Sequence, residues 1–304
     1  MDLSIIVVNY NTQRLLQQHL QSIYETVTDL SFETFVVDNA SSDGSIKMVQ
    51  LEFPQVQLIC NLEGLGFARA ANLALAKAKG NYFLICHPDV KLLPGTVQEM
   101  YNFLQAHPGV GIVGANLLYP DGSYNRCGYK KHSLGYELLE FTYPTLRNPL
   151  KLLPRLKRKI DQLYARYYWD HQTTAESARI WNACMMFRRE VLETAGNFYE
   201  GFYIWFADTD WCYRAKNAGW QMYYLAEAKA IHYERQSANY IDSSQVAYKV
   251  KATLALSEFN KDHYLLLKRH YGPVFLWLRK SLDTALLLKL ALLRFNALLH
   301  GHKY

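Results

Sequence analysis

Two short segments place carboxylates where they could take part in a reaction. The first is His87-Pro88-Asp89, which directly follows the apolar run Tyr82–Cys86. An imidazole and a carboxylate two residues apart can bind Mg²⁺ or Mn²⁺, although a solvated aspartate in a turn would give the same pattern. His232 follows a short strand, and a lone histidine of this kind is more often structural than a ligand.

The second segment contains Asp208 and Asp210 inside the aromatic stretch Phe202–Trp211. One carboxylate would point into a cleft and act as a general base, while the other would cap a helix. Both could instead be helix N-terminal charges. The high density of aromatic residues around them favours a catalytic site over helix N-terminal charges alone.

Two further segments could bind a nucleotide. Asp38 opens the turn Asp38–Ser45, and its carboxylate could accept hydrogen bonds from a base or a ribose, or only form an Asx-turn and a helix cap. The turn Asn61–Asn72 contains Gly66 and feeds a helix, so its backbone amides could face an anion and Arg69 could reach a phosphate. Each signal is weak alone.

The elements that must position these residues alternate from residue 3 to residue 118. The predicted strands are Leu3–Tyr10, Glu33–Val37, Gln57–Cys60, Tyr82–Cys86 and Val110–Leu117. The predicted helices lie near Thr12–Glu25, Ser45–Phe53, Phe67–Lys79 and Pro94–His107. This rhythm predicts an α/β fold, with a mostly parallel sheet and helices on both faces. The polar strand ends then share one sheet edge, where such folds bind ligands.

The rest of the chain is organised differently. Residues 129–178 are predicted to be an insertion with a basic amphipathic helix, Leu150–Trp169, and the core resumes at Arg179. Short strands are predicted at Gln221–Leu225 and Ala230–His232, and the pattern is helical from Gln245 onward. We expect one domain over residues 1–240 and a helical C-terminal region over residues 241–304.

The composition limits which binding partners and which cellular compartment we expect. The chain has 304 residues, half of them apolar, and a formal net charge of +6. Its basic residues cluster over 147–166 and 249–294 among Leu, Tyr and Trp, which indicates an anionic membrane surface, and no nucleic-acid-binding signature accompanies them. Five scattered cysteines without a C-x-x-C motif predict buried, reduced thiols. We expect neither a signal peptide nor a conventional spanning helix.

In this order, the segments resemble a family-2 glycosyltransferase with a GT-A fold, of the rhamnosyltransferase-like kind that builds bacterial surface polysaccharides. The matching segments are Ile5–Thr12, Val37–Ser45, Asn61–Asn72, His87–Val90, Pro120–Ser123, Ala183–Arg189, Gly196–Phe198, Phe206–Arg214, Ala218–Trp220 and Ile231–His232. They cover roughly residues 1–237, and together they are far more specific than each one alone.

The resemblance implies an inverting transfer of a sugar, with rhamnose suggested, from a UDP- or dTDP-linked donor to a lipid-linked glycan. It implies donor contacts from Asn9, Tyr10, Asp38, Asn61, Gly66, Arg69, Asn72, His87 and Arg235. It implies Asp89 and His232 at a Mg²⁺ or Mn²⁺ ion, and Asp208 as the base. Trp181, Trp205 and Asp210 would lie on the acceptor side.

The sequence departs from the family pattern in three places. His87 replaces the usual Asp or Asn of the metal motif, and Ala207 replaces the usual acidic residue before the base. Glu234, Arg235 and Gln236 replace the glycines that usually follow the histidine. Since Arg235 could supply positive charge to the diphosphate, we expect weak metal dependence.

The tail, Val274–Leu299, carries an apolar helical face that includes Trp277. Together with Leu150–Trp169 it would lie in the membrane interface, which places the protein on the cytoplasmic side of the plasma membrane. Packing on the core or in a homodimer explains the same face nearly as well.

Two other functions stay open from the sequence. A sugar nucleotidyltransferase would share the sheet and the metal site, but it usually has a Gly-rich basic loop after the first strand, and Asn9–Gln13 lacks one. A catalytically silent nucleotide-binding scaffold would fit His87 and Ala207.

Overall fold

The computed structural model describes residues 1–125, 127, 154–165, 171–233, 245–281 and 284. The chain divides into two compact units, Met1–Asp262 and His263–Tyr304. The first unit contains the strands and the candidate site residues, and the second is helical where it is described.

Strands and helices alternate through the first third of the chain. Strands β1 to β5 are Leu3–Asn9, Phe32–Asp38, Gln57–Cys60, Tyr82–Cys86 and Val90–Leu92. Helices α1 to α4 are Gln13–Thr26, Ser45–Glu52, Gly66–Leu75 and Thr96–Ala106. The later elements are β6 (Val110–Leu118), α5 (Pro154–Ala165), β7 (Ala175–Glu176), β8 (Cys184–Arg188), α6 (Arg189–Ala195), α7 (Ala207–Asn217), β9 (Gln221–His232) and α8 (Gln245–Tyr271).

The strands form one sheet in the order β3-β2-β1-β4-β8-β6-β9-β5, and β7 also pairs with β9. Pairing is parallel from β3 through β4 and between β6 and β9. Strand β8 runs antiparallel between β4 and β6, and β5 runs antiparallel to β9. The predicted α/β fold is therefore confirmed, with parallel pairing among β1 to β4 and mixed pairing across the rest of the sheet.

Burial explains why the central strands form. All five residues of β4 are buried, as expected for a strand covered by helices on both faces. Helix α1 buries Leu16, Leu20 and Ile23, which recur at helical spacing on one side. The sheet and its helices thus give the polar strand ends a rigid support.

The structure departs from the prediction at strands β9 and β5. Strand β9 is continuous, where two short strands were expected, and its register with β6 shifts between Ala115 and Asn116. The stretch Ala226–Ala228 contains no β-branched residue, so its sequence resembles a break. Strand β5 has only three residues, too few for a periodic pattern.

The predicted helical regions are described in part. Helix α5 lies inside the predicted helix Leu150–Trp169, and the rest of the predicted insertion up to residue 170 lies outside the described residues. Helix α8 confirms the helical pattern from Gln245, and a further helical stretch covers 273–281. Among the described helices, none combines the length and apolar character needed to cross a bilayer.

The cysteines match the prediction of free thiols. All five are unpaired, and all except Cys60 are buried. Burial raises the pKa of the Cys127 and Cys212 thiols to about 12, so both stay protonated near neutral pH.

Candidate active site

Polar residues follow one another along the carboxyl edge of the parallel strands. Asn9 lies opposite Asp38 in the register of β1 and β2, and Asp38 lies opposite Cys60 in β3. Asn61 comes directly after Cys60 and donates its backbone N–H to the Asp38 carbonyl at 2.9 Å. The three predicted side chains therefore lie at neighbouring positions of one edge.

A hydrogen-bond network fixes the Asp38 carboxylate. Asn9 Nδ2 donates to Asp38 Oδ2 at 2.7 Å, and the Ser41 N–H donates to Asp38 Oδ1 at 2.7 Å. Thr12 Oγ1 in turn donates to Asn9 Oδ1 at 2.6 Å. Because Asn9 is fully buried, its part in the site is to hold Asp38, whereas the next residue, Tyr10, is 60% exposed.

The glycine turn lies beside this network. Asn61 Nδ2 donates to Asn39 Oδ1 at 2.9 Å, and Asn39 Nδ2 donates to the Gly66 carbonyl at 3.2 Å. Gly66 begins α3 with φ at +77°, a conformation that favours glycine. Arg69 is exposed and lies 3.7 Å from the Glu200 carboxylate, so an incoming phosphate would compete with that carboxylate for its charge.

Asn72 has a different position from the one expected for a donor contact. Its Nδ2 donates to the Phe198 carbonyl at 2.9 Å and to Glu200 Oε1 at 3.1 Å, while Phe198 N–H donates to its Oδ1 at 3.2 Å. Asn72 is buried and both of its amide atoms are used. We therefore assign it to holding the loop after α6.

His87, Asp89 and His232 form a compact cluster. The Asp89 Oδ1 atom lies 3.4 Å from His232 Nε2 and 4.0 Å from His87 Nδ1, and one ligand atom from each residue lies within 4.8 Å of the others. Asp89 and His232 are buried, and the His87 side chain is 36% exposed. Two imidazole nitrogens and a carboxylate oxygen make a donor set that suits a divalent ion such as Mn²⁺.

The backbone brings this cluster together from distant parts of the chain. Strand β5 pairs with the end of β9, and the Tyr233 N–H donates to the Asp89 carbonyl at 2.8 Å. The His87 N–H donates to the Ala183 carbonyl at 3.0 Å, which ties the turn after β4 to the start of β8. The cluster is therefore held by the sheet itself.

Neighbouring groups orient the histidines. Asn125 Nδ2 lies 3.2 Å from His232 Nδ1, and an amide can fix either tautomer of the ring, depending on which of its two ends faces the nitrogen. Burial lowers the pKa of His87 below its ordinary value, against the opposing effect of the Asp89 carboxylate. A neutral imidazole is the form that binds metal ions.

Asp208 lies in the first turn of α7, whose N-terminus favours a negative charge. Its Oδ1 accepts the Thr209 N–H at 2.7 Å, and its Oδ2 accepts the Asn182 N–H at 3.3 Å. The Asn182 side chain in turn hydrogen-bonds His87. Asn182 thus links the carboxylate expected to be the base to the histidine–aspartate cluster.

The aromatic candidates differ in exposure. Trp205 is 41% exposed, and its ring centroid lies 5.6 Å from that of Phe259. Trp181 is partly buried and directly precedes Asn182. Trp181 therefore lies next to Asn182, which contacts Asp208, and Trp205 lies just before the helix that carries Asp208.

Asp210 is a correction to the predicted acceptor side. It is fully buried, and its Oδ2 accepts a hydrogen bond from Arg214 Nε at 2.9 Å. Arg214 also donates to the carbonyls of Ala195 and Asn197. The pair ties α7 to the end of α6, so in this structure Asp210 supports the helix and is buried away from the surface.

Sequence reasoning missed Asn125 and Asn182, which contact the clustered histidines. No local pattern marks them, since their roles depend on pairing across the sheet. Arg235 lies outside the described residues.

Comparisons with known proteins show the family of this chain. A profile described as "Glycosyl transferase family 2" matches residues 4–196. The chain is 23% identical over 310 residues to the N-acetylglucosaminyl-diphospho-decaprenol L-rhamnosyltransferase of Mycobacterium tuberculosis, an alignment that covers 95% of this chain and 91% of that relative.

Solved structures show the same fold. The mannosyltransferase PcManGT from Pyrobaculum calidifontis, solved with GDP-Man and Mn²⁺, gives a TM-score of 0.51 at 20% identity, covering 99% of this chain and 81% of that one. GalNAc-T7, solved with UDP, GalNAc and Mn²⁺, gives 0.54 at 13% identity, covering 76% and 44%. The family match, and not these likenesses of fold, decides against the sugar nucleotidyltransferase alternative. The chain is a glycosyltransferase of family 2 with a GT-A fold.

Proposed function

We propose that the protein transfers a sugar, with inversion, from a nucleoside diphosphate donor to a hydroxyl of a lipid-linked surface glycan. The observation that carries the proposal is the link through Asn182 between Asp208 and the cluster of His87, Asp89 and His232. It sets a carboxylate able to accept a proton beside a group able to hold a diphosphate and its metal ion.

The donor nucleotide would lie along the strand ends. Tyr10, Asp38 and Asn61 would hold the nucleoside, and the backbone of the glycine turn and Arg69 would face the phosphates. His87, Asp89 and His232 would hold Mg²⁺ or Mn²⁺, which when bound neutralises charge on the leaving diphosphate. Arg235 would share that task, which is why weak metal dependence is part of the proposal.

The chemical step is one in-line displacement. The acceptor hydroxyl oxygen attacks the anomeric carbon, and the bond from that carbon to the diphosphate oxygen breaks on the opposite face. The diphosphate leaves with the bonding electron pair, and Asp208 takes the hydroxyl proton. Trp181 and Trp205 would present aromatic faces to the acceptor sugar.

Rhamnose from a dTDP- or UDP-linked donor is the proposed sugar. The Mycobacterium tuberculosis relative is named for a rhamnosyl transfer to a diphospho-decaprenol-linked N-acetylglucosamine, and its alignment spans nearly all of both chains. A related lipid-linked acceptor would place this protein at the cytoplasmic face of the plasma membrane.

A thermal-shift panel tests the donor site. UDP, dTDP, GDP and CDP are added with and without Mn²⁺ to the wild type and to Asp89→Ala. We expect one base class to raise the melting temperature, more so with Mn²⁺, because a ligand that binds only the folded state stabilises it. The Mn²⁺-dependent part should vanish in Asp89→Ala.

The exposed turn residue Asp121 provides the matched control, since it also carries a carboxylate that takes part in a hydrogen-bonded turn. Asp121→Ala should keep the full nucleotide response. No shift with any nucleotide in the wild type would contradict the proposed donor site.

A further inference from the structure

The loop that precedes the helix of Asp208 is held by a carboxylate from far along the chain. We propose that Asp262, on α8, is a positioning residue for the acceptor side of the active site. It would fix the loop 203–205, which presents Trp205 and leads into α7. The inference rests on the proposed function of Asp208 as the base.

Three consecutive backbone donors meet on this one side chain. The N–H groups of Tyr203, Ile204 and Trp205 lie 3.2, 3.1 and 2.9 Å from Asp262 Oδ2. Tyr203 N–H also lies 3.3 Å from Oδ1. Hydrogen bonds to an ionised acceptor are stronger than neutral ones, so the carboxylate holds this backbone curved around itself.

The position of Asp262 indicates a role inside the fold. It is only 3% exposed, although the side chains of the three residues that it holds are between 41% and 48% exposed. The carboxylate therefore fixes the loop from within and leaves its apolar side chains directed outward. Outward aromatic and apolar side chains are the part of this loop that could meet a sugar or its lipid.

A second residue of the same helix supports the arrangement. The Phe259 ring lies 5.6 Å from the Trp205 ring and 5.1 Å from the Phe206 ring, centroid to centroid. Phe206 adopts φ at +63°, a conformation that is strained for a non-glycine residue and persists only where the surroundings impose it. Contacts from α8 thus reach the strained residue itself and the three residues before it.

This strained residue sets the start of the helix that carries the base. Phe206 is the N-cap of α7, and Asp208 follows two residues later. A relaxation at Phe206 would turn the first helical residues and change the direction of the Asp208 carboxylate. Asp262 is therefore expected to act on catalysis through Asp208, without touching a substrate.

The test compares transfer rates in the full-length protein. Asp262→Asn keeps the shape and one acceptor oxygen, and Asp262→Ala removes both. Glu258→Gln is the matched control, since Glu258 is a partly exposed carboxylate one turn earlier that pairs with Lys261. Transfer is measured with the nucleotide-rhamnose selected by the thermal-shift panel and N-acetylglucosaminyl-diphospho-polyprenol as the acceptor probe.

We expect Asp262→Asn to lower transfer turnover 10- to 100-fold and to leave the nucleotide dissociation constant within threefold. Asp262→Ala should lose more, and Glu258→Gln should stay within twofold of the wild type. Hydrogen exchange of the backbone N–H groups of residues 203–205 should become at least tenfold faster in both Asp262 variants and not in the control. The exchange rates can be measured even if a variant has no transfer activity.

A double-mutant cycle identifies the route of the effect. If Asp262 acts through Asp208, Asp262→Asn should cost less than twofold when Asp208 is already Asn. Equal losses in both backgrounds would overturn the inference, as would unchanged exchange in the loop. Near-wild-type turnover of Asp208→Asn alone would instead refute the base assignment on which the inference rests.

Discussion

Among single residues, Asp208 is the one whose position best explains a reaction. It is partly exposed at the start of α7, and its two oxygens accept backbone hydrogen bonds from Thr209 and Asn182. Those contacts orient the carboxylate. An oriented carboxylate is what proton removal from an acceptor hydroxyl requires.

Replacing Asp208 by Asn should lower turnover about 10²- to 10⁴-fold, the usual range for a lost general base. The nucleotide response in the thermal-shift assay should persist, because the donor site is left intact. Steady-state kinetics at saturating donor would measure the loss. Turnover close to that of the wild type would show that another group takes the proton.

His19 makes a separate prediction about stability. It is fully buried behind the cluster, and its Nδ1 lies 2.6 Å from the Val90 carbonyl, which can only accept. Burial lowers its pKa from 6.5 to about 4, while the Asp89 charge opposes and the His87 charge adds to the shift. In the unfolded chain His19 therefore binds a proton near pH 6.5, whereas in the folded chain it binds one only near pH 4.

Because the folded-state pKa is lowered, His19 contributes stability above pH 6.5 that is lost as the pH falls towards 4. Between pH 7 and pH 5 we expect it to remove about 2 kcal/mol from the free energy of unfolding. Urea denaturation of the wild type and of His19→Leu at several pH values measures the slope of the free energy of unfolding against pH for each protein. Leu15→Ala, a buried change on the same helix, should lower stability without changing that slope, and equal slopes in all three proteins would contradict the prediction.

The structure brings together some of the residues that the sequence suggested for the site and places others elsewhere. Asp89 and His232 were expected as partners and lie 3.4 Å apart. Asp210 and Asn72 have the same residue types as site residues, but the fold uses them to hold helices and loops. Whether an Asp or Asn faces a cleft or a neighbouring element depends on tertiary packing, which a local pattern does not contain.

At the level of elements, the glycine turn and the loop before α7 are joined. The Phe67 N–H donates to the Tyr203 carbonyl at 2.7 Å, and Tyr203 OH donates to the Gly64 carbonyl at 3.3 Å. The expected donor side and acceptor side therefore share a boundary at Tyr203. The sequence predicted both segments because each has a local signature, but it could not predict that they touch, since they are separated by more than 130 residues.

Gly66→Ala tests this junction. A methyl group at Gly66 would lie 2.3 Å from the Tyr203 carbonyl oxygen, on a backbone whose φ is already +77°. Tyr203 must move, so we expect at least a tenfold loss of transfer and a lower melting temperature. Gly95→Ala is the control, because Gly95 has φ at +84° with nothing within 4 Å, and the substitution adds only backbone strain.

Comparable melting temperatures for the two glycine variants, together with unchanged transfer in Gly66→Ala, would show that the contact with Tyr203 is not needed. Turnover and differential scanning fluorimetry on both variants give the comparison.

For the molecule as a whole, apolar side chains in the second unit suggest a surface that meets lipid. Val274 and Trp277 are 65% and 67% exposed, and Leu278 is 40% exposed. Exposed apolar side chains of this kind match binding at a membrane interface. In the first unit, helix α5 separately exposes Arg155, Arg158 and Lys159, and exposed cations favour an anionic surface.

We expect the full-length protein to float with anionic vesicles, and the double variant Val274→Ser with Trp277→Ser to float much less. Burying each apolar side chain contributes roughly 1.5–3 kcal/mol, so replacing both should weaken vesicle binding more than tenfold. Leu51→Ser is the control, since Leu51 is 71% exposed on α2. Unchanged flotation of the double variant, or of a chain lacking residues 274–304, would favour packing against a second copy.

Strand β5 has a consequence for how this chain matures during synthesis. It directly follows Asp89, yet among the described strands it pairs only with β9, which lies about 130 residues later. The ribosome therefore releases β5 before its partner strand exists, and the histidine–aspartate cluster is completed only after His232 has emerged. Contacts between such distant residues form slowly. A nascent chain stalled before β9 should thus be more prone to aggregate than one stalled after it.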